Sequence, residues 1–260
     1  MNIRIKYTKT GPLRFISHLD LMRYFQKAIN RAGLDISYTT GMSPHQIISF
    51  AAPMPLMMTS EGEYLDAGFN SVTTAKEMID AFNKVASPFA RISDMVILPD
   101  NAINSMAAVT ASDYRITFTG NGDHPLNSSD IRYIREAAHN ITKEQEINVL
   151  KKTKKSENVV NIKPLIHNLT VTDDGNIYML LATGSKNNLK PELVMEAVFK
   201  YADIKYSRFK YDIHRLETYM TNEKGEFVSL LSAGKTFELC KLYFYIALLT
   251  NYILASIIIA

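Results

Sequence analysis

Cysteine is almost missing from this chain, since Cys240 is the only one among 260 residues. One thiol cannot form an intramolecular disulfide or a zinc site built from several thiolates. It also cannot supply the three thiolates that would hold the iron–sulfur cluster of a radical enzyme. The count therefore excludes these kinds of site and predicts a reducing compartment, the cytoplasm.

The chain also lacks the short motifs that mark common nucleotide and acyl-transfer sites. It contains no Gly-x-Gly-x-x-Gly fingerprint, no P-loop and no Gly-x-Ser-x-Gly elbow. Its net charge of +3 is too small to indicate nucleic-acid binding by itself. The sequence therefore predicts no cofactor and no bound metal.

The hydrophobic content of 47% in 260 residues is enough to build one large or two small domains. In residues 1–100, strands are predicted at 2–8 and 90–98, with a further strand at 13–16, extended segments at 36–38, 47–51 and 62–69, and helices at 17–32 and 74–86. This βαββαβ order predicts a ferredoxin-like domain.

The order repeats less cleanly in residues 101–218, after a break at Pro99-Asp100-Asn101. Strands are predicted at 114–119, 146–150 and 206–217, a hairpin turn at 173–176, and helices at 129–141 and 191–201. The predicted fold is therefore α+β, a tandem of two ferredoxin-like domains followed by a C-terminal extension at 219–260.

The extension ends in an apolar tail, because residues 242–260 contain no charged side chain. Nineteen residues are just enough for a membrane-spanning helix, which needs about 20. A tail anchor and an aberrant or strain-specific extension both fit this pattern. The N-terminus alternates charged and apolar residues, which predicts a strand rather than a signal peptide.

A row of cations follows the first predicted helix. Arg23, Lys27 and Arg31 recur every four residues opposite the apolar stripe, and Arg14 precedes the helix. Such spacing suits a phosphate backbone, so these four residues are the predicted substrate-binding or RNA-binding set. An ordinary solvated helix face would look the same.

Two histidines are catalytic candidates if the protein is an enzyme. His18 follows Ser17, which with Asp20 resembles a capping box, and the positive end of the helix would keep its imidazole neutral. His45 lies in a loop of restricted backbone after Ser43 and Pro44.

Three acids close the same stretch, at Glu61, Glu63 and Asp66. They are predicted to line a pocket or to face a partner, although Glu61-Gly62-Glu63 could equally be an exposed hairpin turn. A metal site that combines them with the two histidines is an alternative, but separations this large carry no ligand spacing.

Two further strings are ambiguous. The basic run at 151–155 could contact RNA or form a solvated turn. The run from Asp212 to Glu217 begins like the Asp-x-His-x-x-Gly signature of cobalamin-binding domains, but Glu217 stands where glycine is needed. The segment is therefore interpreted as a strand.

Several strings in a common order resemble one family over roughly residues 1–231. They are Arg4-Ile5-Lys6-Tyr7, Gly11 to Asp20, Arg31-Ala32-Gly33-Leu34, Ile48-Ser49-Phe50-Ala51, Thr59 to Asp66, and Met106 to Thr110 with Asp113-Tyr114. The chain is similar to the radical-SAM-associated (radical-SAM-linked) proteins, a family carried as a domain of unknown function (number 2344).

The chain departs from the family pattern in one loop. Where the family has an Asn-Pro-His-Pro-Lys-like loop, Ser43 precedes Pro44-His45, and Gln46 and Ile47 replace the proline and lysine. An anion contact made by that lysine is therefore in doubt, whereas His18 and His45 match the family. Met57 also stands where the family often has glycine.

The resemblance implies a partner of cobalamin-type radical-SAM enzymes, which supply the cluster that this chain cannot hold. We therefore expect a non-redox accessory protein that binds and presents RNA or a nucleotide-bearing substrate. RNA is expected only by analogy with the paired ferredoxin-like domains of CRISPR-repeat endoribonucleases. The alternatives are a metal-independent ribonuclease with a histidine general base, and a scaffold tethered to a membrane through residues 242–260.

Overall fold

The computed structural model describes residues 1–118, 126–152, 157–173 and 175–237. These ranges contain eleven strands, β1 (Asn2–Lys9), β2 (Ile48–Phe50), β3 (Met58–Gly68), β4 (Ile92–Ile97), β5 (Val109–Phe118), β6 (Asn148–Lys152), β7 (Glu157–Asn161), β8 (Ile166–Val171), β9 (Ile177–Ala182), β10 (Tyr211–Thr221) and β11 (Phe227–Ser229). They also contain five α-helices, α1 (His18–Arg31), α2 (Ala75–Val85), α3 (Ser105–Ala108), α4 (Ser128–Ile141) and α5 (Pro191–Tyr201).

Nine of these strands form one mixed sheet with the order β4-β1-β3-β10-β5-β9-β8. β2 adds to β3 and β11 adds to β10, while β6 and β7 form a separate hairpin. The predicted α+β class is confirmed by this sheet and its helices.

The two halves of the chain share an order of strands. In the first half, β4, β1, β3 and β2 are neighbours, and all their pairings are antiparallel. In the second half, β10, β5, β9 and β8 repeat that order with antiparallel pairings.

One parallel pairing joins the halves, between Met58–Ser60 of β3 and Ile213–Arg215 of β10. Because the strands of both halves belong to a single sheet, a division into two ferredoxin-like domains is not confirmed and stays a prediction.

Four helices, α1, α2, α4 and α5, form where the sequence predicts them, whereas the short helix α3 was not predicted. The Ser17 side chain accepts a hydrogen bond from the Asp20 backbone N–H at the start of α1, and Thr74 and Glu77 form a capping box at the start of α2. One predicted strand is replaced, since residues 11–15 form a 3-10 turn with Pro12 in its first positions. Proline disfavours a strand because it lacks the N–H that the ladder needs. It is tolerated in the first turn of a helix, where that N–H would have no partner in the helix.

Each half has its own apolar core on the helix-bearing face of the sheet. In the first half, alternate β1 residues pack against α1 and α2, with Ile3, Ile5 and Phe25 buried. In the second half, β5, β9 and β10 pack against α4 and α5, with Ile116 and Ile213 fully buried. Burial of such side chains contributes about 1.5–3 kcal/mol each.

The opposite face of the sheet is polar. It carries Arg4, Tyr64, Asp66, Asp113 and His214, because successive strand residues point to alternate faces. We call this side the polar face.

Within the described ranges, no helix combines the length and apolar character that crossing a bilayer requires. The predicted anchor at 242–260 lies outside those ranges, as does Cys240.

Candidate ligand-binding cleft at the junction of the two halves

The polar run from Thr59 to Asp66 forms most of β3. The first residues of this strand pair with β10, and its last residues pair with β2. Gly62 lies against a β-bulge of β10, because the register shifts between Arg215 and Glu217. A Cβ on Gly62 would lie 2.3 Å from the Glu217 Cα, so a side chain cannot fit there. This glycine lets the two strands approach and brings their charged residues together.

Arg215 and Glu63 form a buried ion pair on the helix-bearing face. Arg215 Nη1 donates to Glu63 Oε1 at 2.8 Å and Nη2 donates to the Tyr114 hydroxyl at 3.2 Å. The two charged residues are only 3% and 2% exposed. Such a pair needs its remaining polar atoms satisfied if it is to stabilise the fold.

The electrostatics of the pair are set by its burial. Burial raises the pKa of Glu63 above its usual range, although Arg215 and a hydrogen bond with Ser60 oppose the shift. Burial alone would lower the pKa of Arg215, but the Glu63 carboxylate and Tyr114 raise it above its ordinary value. Arg215 therefore stays cationic.

One nitrogen of this guanidinium is not used. Arg215 Nε is buried and has no hydrogen-bond partner among the described residues. Arg215 and Tyr114 both line a cavity of about 280 Å³, together with Met58 and the chain from Thr183 to Ser185. An unused cationic donor beside a cavity is the pattern of a binding site rather than of a structural ion pair.

A second cavity of about 580 Å³ continues the first and is lined by Lys151, Lys186 and Lys190. The two cavities share Pro55, Ser185, Asn188 and Lys190. We call the combined cavity, from Arg215 to Lys151, the basic cleft.

The start of α5 adds to its positive potential. Pro191 at the first helical position lines the first cavity, and the helix N-terminus carries a partial positive charge. The acid in the lining, Glu192, lies 3.7 Å from Arg208 and is balanced by it. The cleft thus suits phosphate or carboxylate groups.

His18 lies near another buried cation. Lys9 is 0% exposed, and burial lowers its pKa while Glu63 opposes that shift. Burial, and then the charge of Lys9, lowers the pKa of His18, whose ring packs edge-on against Phe50 at 5.3 Å. Both causes, burial and the charge of Lys9, favour the neutral imidazole.

The predicted cationic set does not form one group. Arg23, Lys27 and Arg31 are exposed along α1, and Arg23 Nη1 lies 3.5 Å from Asp20 in a solvated pair. Arg14 instead donates to Asp212 of β10 at 2.9 Å. The row on α1 is thus accessible, while Arg14 is held at the junction of the halves.

His45 is exposed in its loop, and its Nδ1 lies 3.1 Å from Thr39 Oγ1. It borders a cavity of about 320 Å³ that Asp66 also lines, and His18 is not among the lining residues. The described ranges contain no group of three or more His, Cys, Asp or Glu side chains placed to hold a metal ion. The two histidines and three acids therefore do not assemble into the metal site that was an alternative.

The three predicted acids have different surroundings. Asp66 accepts two hydrogen bonds from Arg4, at 2.8 and 3.0 Å, and lies on the polar face. Glu63 is buried against Arg215 and does not face a partner surface. Only Glu61 is exposed.

The segment dismissed as a failed cobalamin signature turns out to be central. As β10, it supplies Asp212 to Arg14, Arg215 to Glu63, and Glu217 to the Tyr64 hydroxyl at 2.6 Å. The sequence offered one signal, a charged residue at 215 on the face that carries Ile213. That signal has meaning only once the partner strand is known.

His214 of β10 lies on the polar face between two β3 residues. Its Nδ1 is 2.8 Å from Thr59 Oγ1, and its Nε2 is 3.3 Å from Glu61 Oε1 without hydrogen-bond alignment. Burial lowers the pKa of His214, Glu61 opposes the shift, and the charges of Arg115 and Arg14 reinforce it. The ring is therefore neutral near pH 7.

One solved chain resembles the described fold only weakly. A chain of the structure titled "Crystal Structure of a Cbf5-Nop10-Gar1 Complex" aligns with 88% of this chain at 8% identity and a TM-score of 0.42. The aligned part covers 52% of that chain, so this protein spans about half of its length. No curated protein matches the sequence.

A family model does match. The model of an uncharacterized protein family conserved in bacteria (DUF2344) matches residues 2–191, and the chain therefore belongs to that family.

Proposed function

We propose that this protein is a non-redox accessory protein that binds RNA or a nucleotide-bearing substrate in the basic cleft and presents it to a cobalamin-type radical-SAM enzyme. The observation that carries the binding site is Arg215, which lines the cavity and whose buried Nε has no hydrogen-bond partner among the described residues. A buried donor left unsatisfied costs about 1–3 kcal/mol, and a ligand oxygen would remove that cost.

The composition of the cleft favours phosphate groups. Lys151, Lys186 and Lys190 line its outer part, where each can pair with one phosphate of a chain. Tyr114 and Met58 line its inner part beside Arg215 and provide an apolar surface for a base or sugar. A single-stranded nucleic acid or a nucleotide fits a cleft with a basic outer part and an apolar inner part better than a duplex, which needs a wider basic face.

The enzyme partner is proposed from the family resemblance. Because Cys240 is the only cysteine in these 260 residues, they cannot hold the cluster on which radical chemistry would take place. The repeated strand order of the two halves supports the interpretation of the chain as two paired ferredoxin-like units. Such a pair would serve as a scaffold between the substrate and the enzyme.

Filter binding of RNA over a range of salt concentrations tests the cleft. Combined Lys186→Gln and Lys190→Gln substitutions should make the slope of log affinity against log salt less steep by about 1.4, because two phosphate contacts are lost. The matched control is Lys84→Gln with Lys200→Gln, which removes two exposed lysines from α2 and α5 outside the cleft.

Two outcomes would end the proposal for the cleft. One is a wild-type affinity that does not depend on salt. The other is a control variant that loses as much affinity as the cleft variant, since binding would then follow net charge rather than position.

Purification of the intact protein from its own cells tests the partner. We expect it to retain an enzyme that contains both an iron–sulfur cluster and cobalamin, which visible absorbance and metal analysis detect together. Retained protein without either group would contradict the proposed partner while leaving substrate binding to the salt experiment.

A metal-independent ribonuclease is the second candidate, and His214 is the observation that favours it. This neutral imidazole lies beside Thr59 and near the cations Arg115 and Arg14, which suits a general base next to a phosphodiester. RNA cleavage that persists in His18→Ala but disappears in His214→Ala would support this activity. Wild-type protein that leaves RNA intact would remove it.

A further inference from the structure

A separate cavity of about 370 Å³ lies in the second half of the molecule. It is lined by Asp113 of β5, Asn168 of β8, Tyr178 of β9, Tyr219 of β10 and Phe227 of β11. These residues include three aromatic rings and no cation, so this cavity differs in chemistry from the basic cleft. We call it the aromatic pocket.

The rings of the aromatic pocket are held by strand pairing and remain accessible. β11 pairs with the end of β10, which sets the Phe227 ring 6.3 Å from the Tyr219 ring. His167 lies 4.9 Å from Phe227 and supports it from another side. Phe227 is still 37% exposed, so its ring is free to stack against a planar ligand.

Asp113 gives the pocket its polar specificity. Its Oδ2 accepts a hydrogen bond from the Tyr219 hydroxyl at 3.1 Å. Its Oδ1 is buried and has no hydrogen-bond partner in the described part of the chain, although the Glu217 backbone N–H lies near enough to favour the charged carboxylate. A carboxylate oxygen without a hydrogen-bond partner beside aromatic rings suits a ligand that donates hydrogen bonds.

We propose that the aromatic pocket binds a guanine base, with the base stacked on Phe227 and its N1–H and N2–H groups donating to Asp113. This inference rests on the proposed function, because it names the nucleotide that the bound RNA or nucleotide-bearing substrate carries. Asn168 supplies an amide that can donate to the guanine O6.

The donor pattern selects guanine over the other bases. Guanine presents two adjacent N–H donors on its Watson–Crick edge, and a carboxylate accepts two parallel hydrogen bonds. Adenine and cytosine each place an acceptor next to their amino group, and uracil places its N–H between two carbonyl oxygens. Each of these would set an acceptor against the Asp113 carboxylate. Stacking on the rings alone would bind all four bases.

The ionisation of Asp113 adds a dependence on pH. Burial raises the pKa of Asp113, the nearby Glu217 carboxylate adds to the rise, and the Tyr219 hydrogen bond opposes it. Only the carboxylate accepts both guanine donors, so affinity is full above this raised pKa and falls as pH decreases through it. Tyr219 itself stays protonated, because burial and Asp113 raise its pKa to about 12.

Isothermal titration calorimetry of the full chain with GMP, IMP and AMP tests the base preference. GMP should bind, and IMP should bind about 10-fold more weakly because it lacks the N2 amino donor to a charged acceptor. AMP should bind more weakly still.

Two variants and their matched controls assign the site. Asp113→Asn keeps an acceptor for Tyr219 but loses the charge, and GMP affinity should fall by about 10-fold. Phe227→Leu keeps apolar volume but removes the ring, and affinity should fall by about 5-fold or more. Asp203→Asn and Tyr133→Leu change an exposed aspartate and an exposed tyrosine elsewhere, and should leave GMP affinity unchanged.

The possible outcomes separate this inference from the proposed function. Equal affinity for GMP and AMP, binding of trimethylammonium compounds in place of GMP, or wild-type GMP affinity in Asp113→Asn would overturn the guanine site. If RNA binding still depends on Lys186 and Lys190 in that case, the basic cleft stands alone. If the GMP results hold but RNA binding ignores those lysines, the aromatic pocket stands and the cleft fails.

Discussion

Two buried arginines, one on each face of the sheet, pair with acids three residues apart on β3. On the polar face, Arg4 pairs with Asp66, and Nη1 and Nη2 also donate to the Leu230 and Ile103 carbonyl oxygens at 3.2 and 2.8 Å. On the helix-bearing face, Arg215 pairs with Glu63 and leaves Nε unused beside a cavity.

The hydrogen-bond partners of the two arginines distinguish a structural ion pair from a candidate binding site, although both acids lie on β3. Every nitrogen of Arg4 has a partner, and Asp66 also accepts from the Ser105 backbone N–H at 2.7 Å. That network holds the segment after β4 and the turn after β11 against the sheet. The Arg215 pair is more fully buried, with side chains 4% and 2% exposed against 0% and 13% for Arg4 and Asp66, but the Arg215 Nε has no partner among the described residues. A ligand group in the proposed basic cleft would supply that partner.

Removal of Asp66 should have the largest effect on stability. Asp66→Ala leaves the Arg4 charge buried without its carboxylate, which should lower the free energy of unfolding by about 3–5 kcal/mol. Urea unfolding followed by circular dichroism measures the loss. Asp80→Ala is the control, because Asp80 forms an exposed pair with Lys76 and should cost about 0.5 kcal/mol or less.

An Asp66→Ala protein less than about 1 kcal/mol below the wild type would contradict the structural role of this pair. The Arg4–Asp66 pair would then not differ from the Arg215–Glu63 pair in its contribution to stability.

Gly62 should have the next largest effect, because it sets the approach of β3 to β10. In Gly62→Ala the new methyl group meets the Glu217 backbone, and overpacking of this kind costs about 1–3 kcal/mol. The strand shift should also separate Arg215 from Glu63, so RNA affinity should fall along with stability. Gly225→Ala is a control for the loss of glycine, since nothing lies within 4 Å of a Cβ there. Its own cost should come from the positive φ and should leave RNA affinity unchanged.

A stable Gly62→Ala protein that binds RNA like the wild type would mean that β3 and β10 can move apart without consequence. The cleft would then not depend on the joined sheet.

The helices could be predicted from the sequence because their signals are local. The Ser17 and Thr74 caps and the apolar spacing after each lie within a few residues of the helix that they start. Pro191 likewise sits at the first position of α5. In each case the predicted and observed bounds agree to within one or two residues.

The joined sheet and the cleft could not be predicted in the same way, because their contacts connect distant parts of the chain. Glu63 and Arg215 are 152 residues apart, and the β3–β10 pairing has no local signature. The sequence singled out Glu63 and Asp66, but their burial depends on Arg215 and Arg4. The row on α1 was visible because it is periodic, whereas the lysines of the cleft come from two distant segments, Lys151 on β6 and Lys186 with Lys190 before α5.

Replacement of both members of each pair should give the smallest effect on one face and a large effect on the other. Glu63→Leu with Arg215→Met exchanges a buried ion pair for apolar side chains, which is often neutral, so stability should stay within about 1 kcal/mol of the wild type. The Tyr114 hydroxyl can turn to the cavity. RNA affinity should nevertheless fall, because the buried donor of the cleft is gone.

The same exchange on the polar face, Asp66→Leu with Arg4→Met, should not be neutral. The exchange leaves the Leu230 and Ile103 carbonyl oxygens and the Ser105 N–H without the hydrogen bonds that Arg4 and Asp66 provide in the wild type. Leu230 and Ser105 are buried, and each such backbone group without a partner costs about 1–3 kcal/mol, so the loss should be comparable to that of Asp66→Ala. Urea unfolding of both double variants, with RNA filter binding, therefore distinguishes the two arginines. Equal losses of stability in the two double variants would show that Arg215 is as important to the fold as Arg4. That result would contradict the difference proposed between the two pairs.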